Sequence, residues 1–307
     1  YDAPMTLQLL LFAACAAVGV QLQRRPGGAD TLRARLWTAN YVALIPIAAT
    51  YAVLSLELDR SVIEVVAVGV VAWWLTVLAA GAWARISTIS PSHRGATWLV
   101  GAFPNTGFLG FPLANLAYGH DGLRLAVLYD QVSLLIPAIV VGVLIARRYA
   151  DPGTAEASSG RSALRDALMS PPLWTMVVLV LLRLTLVRDP VELRWLGSLV
   201  GHVVGPVGFL LLGLSLPLEG FSHDRREVVA TTGAVLVRVA LAPLLVLGVA
   251  ALAGVEVPGA LLLIAAMPTA FHALIVARVT GLDAGVLRLG IVVSSVLVIG
   301  ATLVVAA

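Results

Sequence analysis

An otherwise apolar stretch of the chain carries the run Gly101-Ala102-Phe103-Pro104-Asn105-Thr106-Gly107-Phe108-Leu109-Gly110-Phe111-Pro112. Proline lacks an N–H and clashes with the preceding turn, so a helix passing through Pro104 must kink or break. Gly107 and Gly110 weaken it further, and Asn105 and Thr106 are residue types that cap helix starts. Met267-Pro268-Thr269-Ala270-Phe271-His272 repeats the device, again with a capping type after the proline. Each break leaves the first amides of the following half-helix without partners and with a partial positive charge. Such an end recognises anions, most simply a carboxylate. The chemistry on offer is binding, and Asn105, Thr106, Gly107, Thr269, Ala270 and His272 are the residues placed to do it.

Ionisable groups inside apolar runs are costly and functional by default. Asp130 lies in Leu128-Tyr129-Asp130-Gln131-Val132-Ser133 and could carry a coupling proton or sodium ion or orient a substrate. The alternative is a structural ion pair with Arg238, which falls near the middle of its apolar run. Arg238 could also face an anionic substrate. His272, one turn past Pro268, could donate to a carboxylate or carry a coupling proton, and structural histidines are common too. Asn115 is a weaker candidate. His202 reads as structural, and Trp73 and Trp74 as packing or lipid-facing.

The elements that must hold these residues follow from composition. Of 307 residues, 60% are hydrophobic and only 12% charged, and mean hydropathy is +0.97. A soluble domain carries roughly a quarter charged residues to wet its surface. This composition excludes a soluble enzyme, a disordered chain and a nucleic-acid binder. The net charge of +3 is too small for a phosphate-binding surface. Every one of the 20 cations is Arg. Cys15 is the single cysteine, so no disulfide framework or cysteine metal cluster forms within one chain. Phosphate-loop, zinc-helix and nucleophile-elbow motifs are absent from the sequence. No enzyme, metal site or resident cofactor is expected. The chain reads as an all-α polytopic membrane protein.

A helix needs about 20 mostly apolar residues to cross a bilayer. Ten such runs fall near 5–22, 31–55, 61–84, 95–118, 121–147, 171–187, 195–218, 226–252, 257–279 and 283–306. The first has Asp2 and no cation ahead of it, so it reads as a span rather than a signal peptide. Pro104 falls about nine residues into its run, roughly 13–14 Å along a helix, which is mid-bilayer. Alternate loops collect arginine on one side: Arg24, Arg25, Arg33, Arg35, Arg85, Arg94, Arg147, Arg148, Arg161, Arg165, Arg225, Arg226, Arg278 and Arg288. Only Arg60, Arg124, Arg183, Arg188 and Arg194 lie on the other. The Arg-rich side is expected in the cytoplasm of a plasma (inner) membrane, with both termini outside.

The polar segment 151–170 separates residues 1–150 from 171–307, five runs in each half. A shift of 164 residues places Pro104 on Pro268, and Leu123-Arg124-Leu125 on Leu287-Arg288-Leu289. Pro46 lands four residues from Pro206. Five spans is an odd number, so the second half is expected to be inverted, as in secondary transporters that bind substrate at the midplane. On this mirror Arg124 and Arg288 should each snorkel to opposite interfaces.

The runs Phe103-Pro104-Asn105-Thr106-Gly107-Phe108-Leu109-Gly110-Phe111-Pro112-Leu113 and Ala266-Met267-Pro268-Thr269-Ala270, the second followed by Ala277-Arg278, resemble the two crossovers of the auxin efflux carrier (AEC) permeases. The resemblance implies the fold shared with bile-acid symporters and sodium/proton antiporters, with broken helices four and nine crossing at Pro104 and Pro268. It also implies a dimerising scaffold of spans one, two, six and seven, and a moving transport domain of spans three to five and eight to ten. Gln131 is similar to a polar residue on the family's fifth span that faces the crossover, which makes it a substrate contact by resemblance. Plant members have a long hydrophilic central loop and a fuller Asn-Pro-Asn pattern where this chain has Phe103-Pro104-Asn105. Bacterial members, whose substrates vary, are the nearer match. The resulting expectation is a homodimeric transporter of a small organic anion, working in a lipid bilayer by elevator-like alternating access. The rival readings are a sodium/proton antiporter of the same fold and a non-transporting membrane receptor.

Overall fold

A computed structural model describes residues 5–24, 29–57, 59–87, 90–149, 165, 168–187, 189–216 and 224–306. The described residues form helices joined by short connections, and their one β-bridge is an isolated pair. In chain order the helices are α1 (Met5–Gln23), α2 (Ala29–Ala39), α3 (Ile45–Ser55), α4 (Arg60–Ile86), α5 (Pro91–Ala102), α6 (Phe111–Ser133) and α7 (Leu135–Tyr149). There follow α8 (Pro171–Thr185), α9 (Arg194–Ser215), α10 (Arg225–Leu236), α11 (Ala242–Ala253), α12 (Gly259–Ala265), α13 (His272–Thr280) and α14 (Ala284–Ala306).

Every expected apolar run holds helix. Five continuous helical segments are long and apolar enough to cross a bilayer: Ala29–Ser55, Arg60–Ile86, Trp195–Ser215, Arg225–Ala253 and Ala284–Thr302. The linker 151–170 lies mostly outside the described residues.

Local sequence accounts for most starts and interruptions. Asp59 begins α4 by accepting the Val62 N–H at 2.9 Å. Ser90 and Pro91 begin α5 as cap and first residue. Three wide π-helical turns, Asn40–Leu44, Thr106–Gly110 and Val237–Leu241, each end two residues before a proline, at Pro46, Pro112 and Pro243. A proline ring crowds the carbonyl four residues back, and one extra residue per turn relieves that clash. Gly119 takes φ +63° and turns the chain between the fourth and fifth runs. The fifth run is itself broken at Leu134, because Pro137 cannot donate back to Ser133.

One landmark of the repeat differs locally. Pro206 sits inside α9, whereas Pro46 follows a π turn, so these prolines are not equivalent landmarks. Arg124 sits beside the end of α3. Its guanidinium donates to the Ser55 carbonyl at 2.8 Å, pairs with Asp121 at 2.9 Å and lies over the Tyr51 ring. A carbonyl freed at the end of α3 is a stronger partner than solvent for a cation this close.

Small residues bring the helices together. Gly213 on α9 would place a Cβ 2.0 Å from the Ala16 carbonyl of α1, and Gly208 one 2.5 Å from the Phe108 carbonyl. Helices meeting this closely give up side-chain bulk to gain dispersion contact between backbones, the usual solution where lipid supplies no hydrophobic drive between helices.

The candidate crossover site

Both interrupted runs break where their prolines predict. α5 ends at Ala102 and α12 at Ala265, and the next residues leave the helix. The two non-helical segments then pair antiparallel. The Asn105 N–H donates to the Pro268 carbonyl at 2.7 Å, and the Ala270 N–H donates to the Phe103 carbonyl at 2.9 Å. This reciprocal exchange is the bridge between Pro104 and Thr269. It satisfies backbone groups that would cost several kcal/mol each if left facing hydrocarbon.

The helix ends at the crossing are neutralised by residues from other elements. The buried guanidinium of Arg238 donates to the Ala265 carbonyl and, at 3.4 Å, to the Ala102 carbonyl. The indole of Trp73 gives the Ala102 carbonyl a second donor at 3.0 Å. A cation at the negative ends of two half-helices is the favourable sense of the helix dipole. The expected ion pair between Arg238 and Asp130 is absent, because the freed carbonyls hold the arginine. Trp73 is likewise more than packing, while Trp74 is exposed. Sequence reasoning missed Trp73. Its signal would have been an indole N–H buried mid-span, which must find an acceptor.

At the start of the second half of the first break, the Asn105 side-chain oxygen accepts the Phe108 N–H at 3.4 Å. Its amide nitrogen is buried without a partner. The neighbouring Thr106 hydroxyl donates to one oxygen of Asp130, and the Gln131 amide donates to the other at 3.1 Å. Asn105, Thr106, Asp130 and Gln131 are thereby brought into one cluster, with the Gln131 oxygen also unpartnered. A Cβ placed on Gly107 would meet no atom within 4 Å, so open space adjoins this helix start.

The second break differs from expectation. Thr269 does not cap a helix: its hydroxyl donates to the Val100 carbonyl at 2.9 Å and its N–H to Ser294 Oγ at 3.0 Å. The extended bridge carries the chain beyond Pro268 before helix resumes, so α13 starts after Phe271 with no side-chain cap. Ser294 is a further residue that sequence reasoning did not assign to the site. Ala270 is buried beside the bridge. His272 opens α13, is exposed, and sets its ring edge-on to Phe103 at 5.5 Å between centroids. Asn115 is not brought to the crossover. It packs against Gly201 of α9. His202 bonds the Ser198 carbonyl on its own helix at 2.6 Å, a structural role.

Comparison with known proteins gives this geometry its setting. The sequence pattern of the membrane transport protein family matches residues 55–305, which include both crossovers and the helices that hold them. A protein of Methanothermobacter thermautotrophicus named an uncharacterized transporter is 26% identical over 218 residues, covering 70% of this chain and 68% of its own length. The chain therefore belongs to the membrane transport protein family, the auxin efflux carrier permeases.

Proposed function

We propose that this multi-pass membrane transporter carries a small organic anion, bound by its carboxylate where the two interrupted helices meet. The observation that carries the reading is the pair of backbone bonds between Asn105 and Pro268 and between Ala270 and Phe103. They join the two breaks, and beside the first of them Thr106 and Gln131 both turn to Asp130. Amides at helix starts favour negative charge. His272 and the Thr269–Ala270 bridge form the other wall, and Asp130 is the ion-coupling group for a proton or sodium ion.

The proposed architecture is ten spans in two inverted five-helix repeats, with a scaffold of spans one, two, six and seven that pairs in a homodimer. Spans three to five and eight to ten move against it in an elevator-like step. Two features support this division. Gly208 and Gly201 on α9 give a smooth face to Phe108 and Asn115, and Arg124 reaches across from α6 to the end of α3. We place the Arg-rich side in the cytoplasm of the plasma membrane.

Flux of radiolabelled acetate, malonate, benzoate and indole-3-acetate into proteoliposomes tests the proposal. The expected result is uptake of at least one of these by the native chain and its loss in Asn105→Ala. Uptake by neither chain, or equal uptake by both, contradicts it.

A further inference from the structure

We infer that an entering substrate carboxylate takes over the donors that Asp130 holds, and that the anion binds only as Asp130 takes up a proton. The inference rests on the crossover being an anion site and adds the coupling ion and its order of events. Its basis is where the donors go. The Thr106 hydroxyl and the Gln131 amide, the two side-chain donors beside the start of the half-helix, are both directed to the oxygens of Asp130. A threonine hydroxyl has one proton to give. It cannot serve an internal carboxylate and an entering one together.

Charge makes the same demand. Two ionised carboxylates sharing one water-poor site repel strongly. The groups around Asp130 supply no compensating cation. Arg238, from the helix packed behind the crossover, spends its donors on Ala102 and Ala265. Tyr129 packs on Gly69, and His272 faces Phe103. None of these pairs with Asp130 among the described residues. Meanwhile the buried Asn105 amide nitrogen has no hydrogen-bond partner and is available to an arriving anion.

The cycle balances simply. A proton from the solution on the open side joins Asp130, converting its carboxylate to a neutral acid. Thr106 and Gln131 then turn to the incoming carboxylate, joined by Asn105. After reorientation the anion leaves, the proton passes to the opposite solution, and Asp130 recovers its two donors. One proton accompanies each anion, so a monocarboxylate moves without net charge.

The full-length protein in detergent micelles, with acetate, malonate, benzoate and indole-3-acetate as probes, provides the test. Binding is followed by thermal stabilisation between about pH 5.5 and about pH 8. Proton uptake is counted with an indicator dye in weak buffer. The native chain is expected to take up about one proton per bound anion, its apparent affinity falling up to about tenfold per pH unit in the alkaline range. Asp130→Asn is expected to bind with no proton uptake and a flat pH profile. If that variant does not fold, the native proton count decides alone. Anion binding by the native chain with no proton uptake overturns the inference while leaving the anion site standing. An affinity that follows replacement of sodium by potassium instead of pH does the same. Absence of stabilisation by every probe at every pH overturns the anion site and the inference with it.

Discussion

The Asn105 N–H and the Pro268 carbonyl lie 2.7 Å apart, joining two helices whose breaks are far separated in sequence. Each proline creates the defect that the other segment repairs. Pro104 and Pro268 remove helix donors, and the extended backbone beside each finds its partner on the opposite strand. The result is irregular backbone deep in the protein whose groups pair across the two breaks.

Asn105 caps the first of those starts and keeps an unused amide donor. Replacing it by alanine removes the cap, worth about 1 kcal/mol, and the donor. Thermal unfolding of Asn105→Ala should therefore fall by only a few degrees while carboxylate flux drops by about tenfold or more, the worth of one buried hydrogen bond to a charged group. A variant that loses stability and flux in proportion would assign the residue to folding alone.

Arg238 joins the C-terminal ends of both half-helices. In Arg238→Met the Ala102 carbonyl keeps the Trp73 donor, but the Ala265 carbonyl loses its side-chain partner. An unsatisfied buried group costs about 1–3 kcal/mol, so the melting temperature should drop clearly. Arg238→Lys should recover part of the loss, since an ammonium lacks the fork that reaches two carbonyls at once. A methionine variant as stable as the native chain would show that the arginine does not hold the crossing.

Gly208 and Gly248 offer a matched comparison. A Cβ at Gly208 would lie 2.5 Å from the Phe108 carbonyl, and one at Gly248 would meet nothing. Gly208→Ala should destabilise the protein and slow flux by pushing α9 from the crossover. Gly248→Ala should gain up to about 1 kcal/mol from helix propensity. Thermal melts of the two variants in the same detergent would reveal the opposite signs, and equal shifts would argue against close packing at Gly208.

Asp59 supplies a pH effect outside the spans. The Val62 N–H and the Ser61 hydroxyl hold its carboxyl below the usual carboxylate range. The lowered folded-state value means that its stabilising effect is present above about pH 4 and lost as pH falls through the folded value. Asp59→Ala should melt below the native chain at neutral pH, and the gap should close as pH falls through the folded value. A gap that persists in acid would place the effect elsewhere.

Much of this arrangement was legible in the residues. Helix breaks at Pro104 and Pro268 follow from a missing N–H, and apolar run length located helix in every expected stretch. Other features depended on partners distant in the chain. Thr269 reads as a cap from its type, yet the bridge to Phe103 keeps its neighbourhood extended and turns the hydroxyl to Val100. Arg238 and Asp130 look like a pair because opposite charges at depth attract. The carbonyls left by two broken helices compete successfully for the guanidinium, and Thr106 takes the carboxylate. The π turns before Pro46, Pro112 and Pro243 were absent from the helical reading, because proline signals a local defect without fixing whether the chain bends, breaks or widens.

Labelling at Gly107 tests the anion site most directly, since a side chain there enters open space beside the first helix start. With Cys15→Ser removing the native thiol, Gly107→Cys should react faster with a negatively charged methanethiosulfonate than with its positively charged counterpart. Acetate, malonate, benzoate or indole-3-acetate should protect it where the corresponding amines do not. Faster reaction with the cationic reagent, and no protection by any carboxylate, would contradict the account.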